Sequence, residues 1–293
     1  MNHKIVNYVK KIKNWMIFGV ALAMLFSCST TRNSAVKTSG LDRLPPLSEL
    51  YVILDSIVKE GWQLYFSERV NWIASDLVME KFDMDVIGGS VTLKPNDSVW
   101  TAVFYDHDGK NCIFEYRYNF VSNQEESIDV PRPISSEERT EIKRKKRMLE
   151  NALDKYADSL YFANQSFGSP NIDIVRINSK LTRLYFLQGT IKSNVIPFGN
   201  DYSIDFDENL KPVAFRRYHR SLIATQTKTE DGGKVETIMH SHLKDNPFIT
   251  PTDICNFLLY RPEDMDVFFV YSTAYKCRFA YYLSLNQIIT VTD

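Results

Sequence analysis

A serine and a glutamate three residues apart, Ser135 and Glu138 in "PRPISSEERT", do most to limit what this chain can fold into. Ser-x-x-Glu ahead of helix-forming residues is a capping box: the serine side chain satisfies a free N–H of the first turn, and the glutamate reaches back to the serine N–H. The pattern predicts a long helix over 136–163, with Ile142, Leu149, Leu153, Tyr156 and Leu160 along one seam. Both flanks are written for strands. Upstream, "SVTLKPNDSVWTAVFYDHDGKNCIFEYRYNF" is a set of three β-rich runs parted by turn residues, which predicts an antiparallel meander. Downstream of "GSPN", the runs "IDIVRI", "RLYFLQGTIKS", "YSIDFD", "VAFRRYHRSLIAT" and "KVETIMHSHL" each read as a strand.

Two further helices complete the outline. Leu47 to Val58 reads as a short helix, after which Trp62 to about Asn123 reads as extended. A second short helix is expected from Thr250 to Leu259, followed by two last strands, "DVFFVYST" and "FAYYLSL". Strands, helix and strands in that order predict an α+β fold: a mixed β-sheet flanked by helices over 170–293, with an N-terminal α+β region over 47–165. Apolar content of 44% and aromatic content of 13% are ample for a packed core. The formal net charge of -1 gives no electrostatic case for a nucleic-acid partner. No P-loop or zinc-finger spacing is present.

The first 28 residues stand apart from the fold. Lys4, Lys10, Lys11 and Lys13 precede a short apolar run from Trp15 to Phe26, the layout of a signal peptide. It ends in Leu25-Phe26-Ser27-Cys28, which resembles the lipobox of a bacterial lipoprotein. That resemblance implies cleavage before Cys28 and a diacylglycerol on its thiol. The expected location is then the bacterial cell envelope, at the outer membrane, with the membrane held through the N-terminal lipid. Residues 29–46, rich in Ser and Thr and ending in Pro-Pro, read as a tether. Cys112, Cys255 and Cys277 read as small buried apolar side chains, and the basic run Lys143 to Arg147 as a solvated helix face.

The stretch "MHSHLKDNPFITPTDICNFLLY" carries the chemistry. In a strand, residues two apart share a face, so His240 and His242 would present two imidazoles side by side. The helix that follows would have Thr250 at its N-cap, Pro251 at the first position and Asp253 at the third, so Asp253 projects from the first turn. Two imidazoles and a carboxylate are three ligands of one Zn2+ ion, and three protein ligands leave one position open, the arrangement of catalytic zinc.

His240-Ser241-His242, seven residues, Thr250, two residues and Asp253 resemble the JAMM (JAB/MPN) metalloprotease motif, with Thr250 for the usual serine. The resemblance covers about residues 170–293. It implies a JAMM/cytidine-deaminase-like fold, zinc on His240, His242 and Asp253, and Thr250 beside the developing oxyanion. The family's general base, a glutamate on an early strand, has no counterpart. Counting back from Gly189 puts Phe186 in its place, with Gln188 the nearest polar residue. Glu208 is the candidate catalytic substitute, with Asp205 and Glu236 as further carboxylates.

Two functions follow. One is a lipid-anchored zinc peptidase or isopeptidase acting by metal-activated water on a peptide or protein of the envelope. The other is a JAMM-like lipoprotein without effective catalysis, serving as a binding or assembly module.

Overall fold

A single helix, α1 (Leu47–Lys81), organises the chain. The computed structural model describes residues 43–129, 131–160 and 167–291; the expected signal segment with Cys28, residues 29–42 of the expected tether and the last residues of the expected 136–163 helix lie outside the described residues. Helix α1 corrects the expectation that residues 62–81 are extended: the short helix predicted at 47–58 continues for 35 residues, about 50 Å at 1.5 Å per residue. Its buried positions explain both the helix and the misreading. Leu50, Leu54, Val58, Gly61, Leu64 and Glu68 recur at three- and four-residue spacing, and so do Val70, Ala74 and Val78. Through Leu64, Ser67 and Val70 the buried positions advance by three residues at a time, so the stripe turns to another face, and because Ser67 and Glu68 are polar the apolar pattern is weak over the window where strands were expected.

The stripe turns because α1 serves three cores in turn. Leu50, Leu54 and Val58 pack with Phe198, Ile254 and Phe268. Leu64 packs with Val175, Tyr185, Leu187 and Cys255. Val70, Ala74 and Val78 pack with Trp100, Phe114 and Tyr116. Residues from Leu44 onward accordingly form one compact unit.

The meander is present as predicted: β1 (Gly89–Leu93), β2 (Val99–Tyr105) and β3 (Asn111–Asn119) are antiparallel neighbours. The turn residues act through their side chains, Asn96 Oδ1 accepting from the N–H of Ser98 and Val99 at 3.0 and 2.9 Å. The sheet also holds a polar edge strand, β4 (Gln124–Ile128), and the short β5 (Arg132–Pro133) beside the start of β3.

Helix α2 (Ser136–Tyr156) begins with the predicted capping box and ends earlier than predicted, passing into a 3-10 turn at Ala157–Ser159. Met148 and Ala152 are its fully buried residues, with Leu149, Tyr156 and Leu160 half-buried beside them. In its basic run, Arg144 pairs with Glu141 and Lys145 donates to the carbonyl of Ser90, while Lys143, Lys146 and Arg147 are exposed.

Four antiparallel strands, in the order β10 (Pro212–Arg217), β9 (Tyr202–Phe206), β7 (Thr182–Gln188), β6 (Pro170–Arg176), form a second sheet, packed on α2 through Leu184, Phe186 and Ile204. A separate two-stranded ladder joins β8 (Val195–Gly199) to β11 (Leu222–Gln226). "VAFRRYHRSLIAT" is therefore two strands in two sheets, broken at 218–221, where one strand was expected.

The last sheet has the order β12 (Ile238–His242), β13 (Val267–Ser272), β14 (Cys277–Tyr282), β15 (Gln287–Val291), three strands after the helix where two were expected. Helix α3 (Pro251–Tyr260) connects β12 to β13, which run parallel, and the remaining pairs are antiparallel. The fold is α+β as predicted, with helices against several sheets in place of one; only the last sheet is mixed. Among the described residues no helix is long and apolar enough to cross a membrane, and Cys112, Cys255 and Cys277 are buried and free.

Candidate metal centre

Strand β12 alternates buried and exposed residues, so Ile238, His240 and His242 all point inward while Met239 and Ser241 face out. The loop after it leads to Thr250, whose hydroxyl accepts from the N–H of Asp253 at 3.2 Å, while Asp253 Oδ2 accepts from the N–H of Thr250 at 2.8 Å. This reciprocal cap, with Pro251 opening the helix, sets Asp253 in the first turn of α3. The parallel β12–α3–β13 unit folds that turn over the inward face of β12. His240, His242 and Asp253 meet as the spacing predicts.

A fourth residue joins them. His219 lies in the break between β10 and β11, and His219, His240, His242 and Asp253 bring one ligand atom each to within 4.8 Å of one another. His219 Nε2 is 2.8 Å from His242 Nε2, which is 3.0 Å from His240 Nε2. Asp253 Oδ1 is 3.3 Å from Nε2 of both His219 and His240, and Oδ2 is 3.4 Å from Nε2 of His242. All four residues are buried, with exposures of 5%, 7%, 2% and 1% in chain order.

The approach of the His219 loop depends on Gly199, the last residue of β8. Its φ is +80°, and a Cβ there would stand 2.2 Å from the carbonyl oxygen of Ser221 and 3.0 Å from Cβ of His219. No other residue type fits that space and that backbone conformation. Just beyond it, Asp201 Oδ1 lies 2.8 Å from His219 Nδ1.

The outward-facing nitrogens settle the tautomers. His219 Nδ1 has the Asp201 carboxylate as partner, and His242 Nδ1 has the carbonyl of Phe248 at 2.6 Å, so each ring donates through Nδ1 and turns the lone pair of Nε2 inward. Two such lone pairs cannot meet at 2.8 Å without a positive charge between them. An extra proton on His219 is one solution: burial works against it, but Asp201 and Asp253 outweigh burial and hold the pKa of His219 well above the usual histidine value. His242 goes the other way, pushed down to about 4 by burial and by the neighbouring histidines against the pull of Asp253. Asp253, despite its burial, is held well below the usual carboxyl range by the three histidines.

A metal ion is the other solution, and the donor set fits one. Three Nε2 atoms and a carboxylate converge, and five contacts among them, at 2.8 to 3.4 Å, are near the ~3.3 Å between ligand atoms that bonds of ~2.0 Å give in a tetrahedron. Asp253 Oδ1 is buried and has no well-formed hydrogen bond, only the two histidine nitrogens at 3.3 Å, which leaves an acceptor for a cation. The outward bonds to Asp201 and Phe248 are the kind that fix the rings of metal-binding histidines.

The other candidate residues stand elsewhere. Thr250 directs its hydroxyl at Asp253 Oδ2, 2.8 Å away, and so orients the carboxylate. Glu208 is exposed in the turn between β9 and β10 and is not part of the convergent group. Asp205 is committed to Arg183 at 2.5 Å and Arg216 at 2.8 Å, and these two cations hold its pKa down against burial. Phe186 is buried in the core under α2, and Gln188 accepts from Asn200 Nδ2 at 2.8 Å. Glu236 is exposed ahead of β12.

His219 and Asp201 were missed by sequence reasoning. The one signal was the polar run Arg216-Arg217-Tyr218-His219-Arg220-Ser221, which interrupts the apolar alternation of what was read as a single strand.

The class this site defines is a buried group of three histidines and one aspartate that could hold a metal ion. No family profile, curated protein or solved structure matches the chain.

Proposed function

We propose that this chain is a lipid-anchored, zinc-binding protein of the bacterial envelope that serves as a binding or assembly module, with a JAMM-like site closed to hydrolysis. The observation that carries this reading is the position of His219. An imidazole fills the fourth place around the site, the place an open, catalytic metal keeps for water or substrate. Two further features support it. All four ligand residues are at least nine-tenths buried, and the exposed or ion-paired carboxylates Glu208 and Asp205 are not part of the group. Zinc accepts imidazole nitrogen and carboxylate oxygen in tetrahedral geometry, which suits this donor set. Bound there, the ion would supply a cross-link between the β10–β11 loop, β12 and α3.

The test is metal analysis of the purified full-length protein, paired with a peptidase assay. One zinc per chain is expected, with loss of stoichiometric zinc in His219→Ala as well as in His240→Ala, and no peptide hydrolysis by the wild type. Full zinc retention in His219→Ala together with hydrolysis by the wild type would return the site to the open, peptidase reading. A wild type purified without chelators that holds no metal would remove the metal reading altogether.

A further inference from the structure

Asp201 has no place in the motif that drew attention to the site, and its side chain is fully buried. It sits in the two-residue step between β8 and β9, entered through Gly199 at the end of β8 and Asn200, which both take left-handed backbone conformations, with φ of +80° and +55°. That turn is pinned from behind by Asn200, which donates to Gln188 Oε1 at the end of β7. The carboxylate reaches two elements of the metal site at once. Oδ1 takes the Nδ1 proton of His219, and Oδ2 takes the hydroxyl proton of Thr252. Thr252 is the residue before Asp253 in the first turn of α3.

We infer that Asp201 is the positioning residue of the metal site: by gripping His219 and Thr252 with its two oxygens, it sets the fourth ligand at a fixed distance from the helix turn that carries Asp253. The inference rests on the metal-binding reading and deepens it. His219 is the one ligand supplied by a loop, and β12 and α3 do not hold it by backbone pairing. Its ring orientation therefore depends on a side-chain partner. A carboxylate is suited to this, because its acceptance of the Nδ1 proton leaves Nε2 as the donor atom and makes the ring a better ligand. Gln188, nearest to where the family resemblance places a glutamate, takes part in this support through Asn200.

The test uses full-length protein, with zinc affinity read by chelator competition and the visible spectrum of the Co2+-substituted form as a geometric readout. Asp201→Asn keeps the shape of the side chain and removes its charge and one acceptor. Its zinc affinity is expected to fall about ten- to a hundredfold, with a shifted and weakened Co2+ spectrum. Thr252→Val, which cuts the second grip together with the 2.9 Å hydroxyl contact to Thr250, is expected to give a smaller loss with a changed spectrum. Wild-type affinity and spectrum in Asp201→Asn would overturn the inference while leaving the metal site itself intact. If Asp201→Asn does not fold, Thr252→Val carries the decision, and an unchanged affinity and spectrum there would overturn it equally. Absence of zinc from the wild type would count against the metal-binding reading instead, so the two failures are distinguishable.

Discussion

Thr250 shows how one side chain serves structure and site together. Its oxygen accepts the N–H of Asp253 and its proton goes to Asp253 Oδ2, so the helix cap and the carboxylate's orientation are the same pair of contacts. Thr250→Ser keeps both and is expected to leave thermal stability close to wild type. Thr250→Val keeps the shape and loses both; about 1 kcal/mol of stability should go with the cap, together with zinc affinity, measured by denaturant titration and chelator competition. A valine variant with wild-type stability would show that the cap is redundant. At this scale part of the site was legible in the sequence and part was not. His240 and His242 were legible because a strand's two-residue period puts them on one face whatever the tertiary structure. Asp253 was legible because capping chemistry places it in a first turn. His219 was not: a lone histidine in a loop owes its position to Gly199 and Asp201, some twenty residues earlier in the chain, and no local period encodes that meeting.

Among the elements, the crossing of α1 and α3 decides where Asp253 stands. The helices touch at Gly61, where a Cβ would lie 2.7 Å from Ile254 Cβ and 3.1 Å from the carbonyl oxygen of Pro251. Ile254 and Pro251 flank Asp253 in the same turn, so any relief of that clash moves the ligand. Alanine would gain helix propensity over glycine, worth roughly 0.5–1 kcal/mol. Against this stands an overpacking cost of about 1–3 kcal/mol, because one of the atoms met is backbone and the other is a branched carbon. Gly61→Ala is therefore expected to be net destabilising and to lower zinc affinity, with a larger stability loss in the zinc-bound protein than after chelation. Equal losses in both states would mean that α3 does not transmit the clash to the site. The same element shows where sequence period fails. The starts of all three helices were found, α1 at Leu47 included although Pro46 gives it no side-chain cap; what was missed is the continuation of α1 beyond Val58, where its buried stripe changes face. Aromatic and β-branched residues packed on several sides then read as strands.

Across the whole molecule, α1 joins the core beneath the last sheet to the core beneath the meander, and its middle is tied to the second sheet by the carboxyl groups of Glu60 and Glu68. Glu60 accepts from Arg183 at 2.6 Å, and eight residues on, Glu68 accepts from Asn171 Nδ2 at 2.7 Å. Glu68 shares its surroundings with Asp173 of β6, and both are buried. Burial first, and then the charge of Asp173, raises the Glu68 carboxyl from its ordinary value near 4.5 to about 8, against the hydrogen bond from Asn171 and the charge of Lys145. Burial likewise raises Asp173, which lies near Lys145 and takes a hydrogen bond from Ser67. A carboxyl whose pKa is higher in the folded chain than in the unfolded one stabilises the fold in its protonated form. That contribution is complete below about pH 4.5, shrinks as the pH rises and is lost through pH 8. Since α1 is common to three cores, opening at this seam should loosen the molecule as a unit, so the wild-type melting temperature is expected to fall between about pH 4.5 and pH 8 in a single cooperative transition and to level off above that. Glu68→Gln keeps the volume, cannot ionise and can still accept from Asn171. It should flatten that fall and match or exceed wild-type stability at the alkaline end, as read by melting curves across the same pH range. A glutamine variant with the wild-type slope would place the titrating group elsewhere, and a flat wild-type profile would mean that Glu68 stays ionised inside the fold.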